Sequence, residues 1–406
     1  MNILFLSPND YPTINIHGLY SDLLRQFISH GDKVFWVSPV PRSKKELETV
    51  VEEAGATIVK PIIFNMRKTN VVEKGISMLT IDGIMIRAIK KYFSDVKFDL
   101  ILYPTPPITF LNVVRFVKKR DNAKTYLLLK DIFPQNAVDI GMLSTTGLKG
   151  LIYKYFRNKE KRLYAVSDKI GCMSQANVEY VLKHNPEIDP AKVEVCPNSI
   201  EVVDKSINEE QRAAIRNKYG IPLDKKVFVY GGNLGKPQGI PFFVECLKKC
   251  ASIENIYFLI VGDGTEYRLI ENYVKTSQHK NLKLKKRLPK EDYDTLVAAC
   301  DIGLIFLDHR FTIPNFPSRL LSCMQAKLPV LACTDPNTDV GKVITEGGFG
   351  WWCESNNSDT FYDLVKSIVA ENNTEMGEKG FNYLQEHYHV SRAYKIIKDS
   401  LDGLRK

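Results

Sequence analysis

The sequence predicts an α/β protein made of two tandem doubly wound, Rossmann-like domains with an interdomain cleft. Three observations predict it. Apolar runs of strand length alternate with amphipathic runs of helix length from residue 3 to residue 195, the pattern of parallel strands joined by crossover helices. The alternation stops over residues 197–208, which are polar and without periodicity. It restarts at Val227 and continues to Cys333. The expected division is residues 1–200, residues 201–375, and helices over 376–406 that cross back to the first domain. A chain of 406 residues is long enough for this.

In order, strands are expected at residues 3–6, 34–37, 56–63, 98–103, 125–129, 170–173 and 193–195. Helices are expected at 19–28, 76–93 and 110–117. Ser43 and Glu46 have capping-box spacing, which predicts a helix through Val50 and Val51. In the second half, strands are expected at 227–230, 257–261, 282–284, 302–307 and 330–333, with helices near 240–249, 266–275, 290–299 and 318–325. Residues 358–404 read as two or three terminal helices. Sheets of this kind bind ligands at the carboxyl ends of their strands.

Composition narrows the function. Apolar residues make up 44% and charged residues 25%, as in a soluble globular protein. The net charge of +9 suits an anionic ligand or an anionic lipid surface. No nucleic-acid recognition module accompanies it. The eight cysteines form no Cys-x-x-Cys pair and read as small buried hydrophobes of a reducing compartment. No metal-ligand cluster, signal peptide or membrane-spanning run is apparent. A cytoplasmic protein, at most peripheral on the inner face of the plasma membrane, is expected. No cofactor and no metal are called for.

Three loops of the second half suit one phosphate-and-nucleoside site. The first is Gly231-Gly232-Asn233-Leu234-Gly235-Lys236-Pro237-Gln238-Gly239, between a strand and a helix. Glycines there let backbone approach a ligand, helix-start N–H groups favour an anion, and Lys236 adds charge. The second is Gly262-Asp263-Gly264, again at a strand end. The third is Pro317-Ser318-Arg319, where Arg319 is placed for phosphate. In the first half, Asp131 follows a strand and precedes Pro134. A carboxylate there can take a proton from a hydroxyl or orient a sugar. His17 and Gly18 open the first helix, with the Gly18 N–H expected near a phosphate or sugar.

Together these motifs resemble the nucleotide-sugar glycosyltransferases of the GT-B fold, family 4, and more narrowly the branch used in bacterial O-antigen and capsule synthesis. That branch carries Gly-Asn-x-Gly-x-x-Gln-Gly, met as Gly232 to Gly239, and Val-Gly-x-Gly, met as Val261 to Gly264. It carries Pro-Ser-Lys ahead of Gly-x-Pro-Val, met as Pro317-Ser318-Arg319 and Lys327-Leu328-Pro329-Val330. Its Asp-x-x-Pro is met as Asp131 to Pro134, and Pro197-Asn198 matches the usual linker entry. The resemblance spans essentially the whole chain. It departs where the wider family has two glutamates with seven residues between them: Pro314 and Ser322 stand there. Asn233 and Gln238 replace the wider family's arginine and lysine, and Arg319 and Lys236 are the cations left to compensate. Ser322 is left to meet the ribose.

The resemblance implies a metal-independent, retaining transfer of a hexose, N-acetylated or deoxy, from a nucleotide diphosphate donor, UDP rather than GDP. In a retaining reaction the leaving phosphate can itself take the acceptor's proton, which would make Asp131 an orienting group. The implied acceptor is polyprenyl-diphosphate-linked or an oligosaccharide. Two basic apolar stretches, residues 149–161 and Met66-Arg67-Lys68 with the helix toward Lys90-Lys91-Tyr92, suit contact with a membrane face. The competing readings are a nucleotide-sugar epimerase and a non-catalytic partner subunit.

Overall fold

The computed structural model describes residues 1–65, 69, 71–277 and 279–404. Met66, Arg67 and Lys68 of the second basic apolar stretch lie outside them. The chain divides into two compact units, one of Met1–Glu201 with the segment from Val390 onward, the other Val202–His389.

Unit 1 begins β1 (Asn2–Leu6), α1 (Leu19–Ser29), β2 (Lys33–Val37), β3 (Val40–Pro41), β4 (Thr49–Glu53), β5 (Ala56–Lys60), β6 (Ile62–Ile63) and α2 (Val71–Tyr92). It continues with β7 (Leu100–Thr105), α3 (Leu111–Asp121), β8 (Lys124–Leu129), α4 (Gln135–Asp139), α5 (Gly147–Val166), β9 (Lys169–Cys172), α6 (Gln175–His184) and β10 (Val193–Val195). Its main sheet has the order β10-β9-β8-β7-β1-β2-β5-β4. Every neighbouring pair is parallel except β4 with β5. The inner strands are covered on both faces, which is why Leu100 to Tyr103 and Tyr126 to Leu129 are all but inaccessible and read as unbroken apolar runs.

The helix expected through Val50 and Val51 is instead β4. A single 3₁₀ turn, Arg42–Lys44, is all that forms at Ser43. Ala54 and Gly55, at φ 46° and 82°, make a two-residue reversal into β5. Positive φ at both central residues matches the twist of a hairpin, and the β-branched Val50 and Val51 suit an edge strand better than a helix. Local capping spacing lost to hairpin pairing.

Unit 2 contains α7 (Glu209–Tyr219), β11 (Lys226–Asn233), α8 (Ile240–Lys249), β12 (Ile256–Asp263), α9 (Tyr267–Thr276), β13 (Leu282–Lys285) and α10 (Lys290–Ala298). There follow β14 (Ile302–Phe306), α11 (Arg319–Gln325), β15 (Val330–Thr334), α12 (Val340–Glu346), β16 (Gly350–Glu354), α13 (Ser358–Ala370) and α14 (Thr374–His387). Its sheet, β13-β12-β11-β14-β15-β16, is wholly parallel. In this unit the strand β16 and the helices α7 and α12 have no counterpart among the expected elements. The unit opens on a reciprocal cap: Asn208 accepts from the Gln211 amide at 2.8 Å, and the Gln211 side chain accepts from the Asn208 amide at 3.1 Å.

The last helix, α15 (Val390–Gly403), belongs to unit 1. It buries Val390, Ala393, Ile397 and Leu401 in the core formed with Leu24, Phe27 and Trp36. Each large aliphatic side chain so buried contributes about 1.5–3 kcal/mol. All eight cysteines are buried thiols. Among the described residues no helix is long and apolar enough to cross a membrane.

Both sheets have a point where the chain stops adding strands on one side and returns to the other. It lies between β1 and β7 in unit 1 and between β11 and β14 in unit 2. Crevices form there at the carboxyl ends of strands, and the loops singled out by sequence end up beside them.

Candidate functional site

In unit 2 the ends of β11 and β12 run side by side, with Gly232 opposite Gly262 and Asn233 opposite Asp263. Gly262 and Gly264 allow this closeness: a Cβ would stand 2.2 Å from the Gly232 carbonyl oxygen and 2.3 Å from that of Leu234, respectively. The Leu234 amide then donates to the Asp263 carbonyl at 3.0 Å, and the Glu266 amide to the Leu234 carbonyl at 2.9 Å. The glycine turn and the second glycine loop are one rigid ledge.

Arg319, the first residue of α11, reaches this ledge. Its guanidinium lies 4.8 Å from the centre of the Tyr230 ring, and Gly232 faces it closely enough that a Cβ would be 3.5 Å away. The Tyr230 hydroxyl donates to the Asn233 carbonyl at 2.7 Å, so one tyrosine braces both the turn and the arginine. Arg319 Nη1 is buried and has no hydrogen-bond partner in the protein. A buried guanidinium N–H without an acceptor is costly. The geometry suits an incoming anion with oxygens to fill it.

The other expected residues fall into place around this. Lys236 is exposed, in a 3₁₀ turn Lys236–Gln238 that separates the glycine turn from α8. Asn233 Nδ2 donates to Gln238 Oε1 at 2.7 Å: the two residues that replace the wider family's cations hold each other and close the loop. Gly235 is the residue before that turn, in extended conformation. Asp263 Oδ1 accepts from the Gly264 amide at 3.0 Å. Pro317 and Ser318 lead into α11, and Ser318 makes no side-chain cap. Ser322 is half-buried, one turn beyond Arg319 on the same face of α11.

Sequence reasoning missed two contributors. Tyr293, on α10, packs against the β11 end so tightly that a Cβ on Gly231 would lie 1.7 Å from its hydroxyl oxygen. Gly231→Ala is therefore expected to displace Tyr293 and destabilise the fold by about 1–3 kcal/mol, read as a lower urea midpoint; an unchanged midpoint would refute this packing. Glu266 is the second. Its Oε2 is buried without a partner. Burial raises its pKa, and the positive charge of Lys236 opposes the rise. The only sequence signal for Glu266 is its place just past a glycine loop.

In unit 1, Asp131 sits two residues beyond β8. The Thr105 hydroxyl, at the end of β7, donates to the Asp131 carbonyl at 3.2 Å and accepts from the Lys130 amide at 3.3 Å, fixing the loop. Asn136 Nδ2 donates to Asp131 Oδ2 at 2.7 Å. Asp131 Oδ1, Asn136 Oδ1 and Thr109 Oγ1 are all buried and unpartnered. Burial pushes the Asp131 carboxyl up to about 6, against the opposing pull of the Ile132 amide and Asn136. A carboxylate with one oxygen tethered, one bare and a pKa near neutrality is equipped to accept a hydroxyl proton. Asn136, five residues on and across the turn into α4, matched no sequence pattern.

Gly18 and His17 stand where the chain enters α1. The Gly18 amide, expected to be open to a ligand, donates to Asp22 Oδ1 at 2.9 Å. Asp22 is buried and also accepts from the Glu201 amide at 2.9 Å. Its role is to cap α1 and tie down the chain leaving unit 1. His17 is exposed beside Asp22 and Glu201, at 3.7 and 3.5 Å. These three form the one cluster of candidate metal-ligand side chains among the described residues. The guanidinium of Arg25 already bonds Asp22 at 2.7 Å and Glu201 at 3.0 Å, so a cation is built in.

Residues 211–382 match the family described as glycosyl transferases group 1. The chain is 25% identical over 293 residues to a probable glycosyltransferase, WbjE, of Pseudomonas aeruginosa, an alignment covering 71% of each chain. It is 22% identical to the putative colanic acid biosynthesis glycosyl transferase WcaI of Escherichia coli, over 60% of each. The fold is similar to that of Anabaena Alr3699/HepE in complex with UDP-glucose, with a TM-score of 0.72, 15% identity and coverage of 99% of this chain and 100% of that one. The residues that match the family fall within unit 2, and the chain as a whole has the two-domain α/β fold of GT-B structures.

Proposed function

We propose that the protein is a glycosyltransferase of bacterial surface polysaccharide synthesis. It moves a hexose, N-acetylated or deoxy, from a UDP-linked donor to a lipid-linked or oligosaccharide acceptor with retention of configuration. The observation that carries this reading is Arg319: a buried, unpartnered guanidinium N–H beside a glycine turn, at the switch point of a parallel sheet. The name of WcaI supports polysaccharide synthesis, and the UDP-glucose bound by HepE supports the donor.

In this reading, unit 2 takes the donor. Cleavage at the anomeric carbon leaves negative charge on the diphosphate. Arg319 and Lys236 neutralise it, and the backbone of the glycine turn lies close enough to assist. These two cations supply the charge a metal would otherwise bring. Unit 1 takes the acceptor. Asp131 Oδ1 receives or orients its hydroxyl, while the leaving phosphate, held on the same face as the entering oxygen in a retaining reaction, takes up the proton. Asn136 holds the second carboxylate oxygen so that the first stays aimed.

The test is calorimetric titration of the purified protein with UDP and GDP, followed by incubation with UDP-sugars. UDP should bind more tightly than GDP, and sugar should be released from the donor only when acceptor is added. Turnover without acceptor would mean an epimerase; no binding of either nucleotide would mean a non-catalytic subunit.

A further inference from the structure

Glu266 has no part in the chemistry described so far, yet its surroundings set it apart. It stands at the start of α9, directly after the second glycine loop. Its amide donates to the Leu234 carbonyl at 2.9 Å, which fixes its backbone to the glycine ledge. Its side chain is not fixed in the same way. An acid at this position of a helix ordinarily accepts from the amides of the first turn, and Glu266 makes no such cap. Among the described residues it forms no side-chain hydrogen bond and no ion pair, and Oε2 is buried. A buried carboxylate oxygen without a hydrogen-bond donor is costly.

The charges nearby do not complete it. Burial pushes the Glu266 carboxyl up; Lys236 opposes the rise, Asp308 adds to it and Arg310 opposes it. Lys236 is exposed and makes no ion pair with Glu266. Arg310 is engaged by Asp308: its Nε and Nη2 each donate to a carboxylate oxygen at 2.8 Å. Asp308 is buried, and its amide donates to the Pro237 carbonyl at 3.0 Å. Gly239, at φ 57°, lies so close that a Cβ would stand 3.3 Å from the Asp308 Cα. The loops after β12 and β14 therefore both close on the glycine turn, and each brings an acid to it. Among the described residues, the acid from β14 has its cation and the acid from β12 has none.

The charge of Glu266 selects what would complete it. A phosphate is repelled by a carboxylate. A metal ion takes several ligands, and Glu266 belongs to no candidate metal cluster among the described residues. What remains is a neutral group with O–H to donate. Two adjacent hydroxyls match the two oxygens of one carboxylate, in bonds stronger than those between neutral partners.

We propose that Glu266 binds a hydroxyl pair of the nucleotide-sugar donor, on its ribose or on its hexose. The inference rests on reading unit 2 as the donor site and gives that site the acid that recognises hydroxyls.

The test is calorimetric titration of the parent, Glu266→Gln and Glu266→Ala with UDP, its dideoxyribose analogue, UDP-glucose and UDP-N-acetylglucosamine. Glu266→Ala should weaken binding of at least one UDP-sugar about tenfold or more, and Glu266→Gln should weaken it less. If the ribose is held, the parent prefers UDP to the dideoxyribose analogue and Glu266→Ala loses that preference. If the hexose is held, the loss appears with the UDP-sugars alone. Parent affinities for all four probes in Glu266→Ala would overturn the proposal, and so would an equal loss with all four. Thermal melts test the competing structural role. Glu266→Gln should melt no lower than the parent, because the carboxylate supports no cation; a lower melt would make Glu266 a counter-charge of the fold and overturn the proposal. Parent protein that binds none of the probes would remove the donor site and this inference together, whereas UDP bound equally by parent and variants, with unchanged UDP-sugar affinity, would remove this inference alone.

Discussion

Asp131→Asn should lower the rate of sugar transfer by about 10²-fold or more, because the group that holds the acceptor hydroxyl for proton transfer loses its charge, while UDP affinity stays at the parent value. The carboxylate loses its charge but keeps its shape, and Asn136 can still bond the amide oxygen, so the loop from Lys130 to Asn136 should hold. The parent rate should also fall as pH drops through about 6, where Asp131 takes up its proton, and the variant's residual rate should lack that limb. Stability should move the other way. Burial raises the folded-state pKa above its ordinary value, so between the two values the native chain binds more protons than the unfolded one. That contribution to stability is present at low pH and is lost as pH rises through about 6. The asparagine variant escapes the loss and should be more stable than the parent at pH 8 by on the order of 1–2 kcal/mol. A variant that unfolds earlier would contradict the cost assigned to the buried charge, and one that transfers at the parent rate would remove Asp131 from the chemistry.

Arg319→Ala should weaken UDP binding by about 1.5–3 kcal/mol, roughly 10- to 150-fold, the range for a charge-assisted hydrogen bond to an anion. The thermal melt should change little. The guanidinium has an unfilled N–H, and it rests on the Tyr230 ring, with no ion pair among the described residues. Arg319→Lys should recover only part of the affinity, because an ammonium keeps the charge and lacks the planar fork. Calorimetry with UDP reads all three proteins. Superimposable titration curves for parent and Arg319→Ala would exclude this residue from the donor site.

How far these sites were legible in the sequence follows from what each feature depends on. The central strands announce themselves because burial on both faces forces unbroken apolar runs, as in Leu100 to Tyr103. The glycine loops are visible because the approach of Gly262 to the Gly232 carbonyl leaves no room for a Cβ. Features that depend on pairing partners are not visible. Ser43 and Glu46 have the right spacing for a helix cap, yet the reversal at Ala54 and Gly55 sends Val50 and Val51 into a hairpin. Asn233 and Gln238 are visible as members of a glycine loop, but not as partners of each other. Gly18 looks open and is closed by Asp22. Tyr153 and Phe156 read as part of a surface stripe, but they turn inward to Gln135 and Phe133. Patterns of period and spacing report local geometry; the partner that satisfies a polar group is chosen by the tertiary fold.

The central claim is that a diphosphate is held by Arg319 and the glycine turn of unit 2. A crystal structure of the protein with UDP tests it most directly. The account predicts density for the diphosphate within hydrogen-bonding distance of the Arg319 guanidinium and along the backbone from Gly231 to Gly235. Well-ordered UDP bound elsewhere on the chain, with Arg319 still unpartnered, would contradict it.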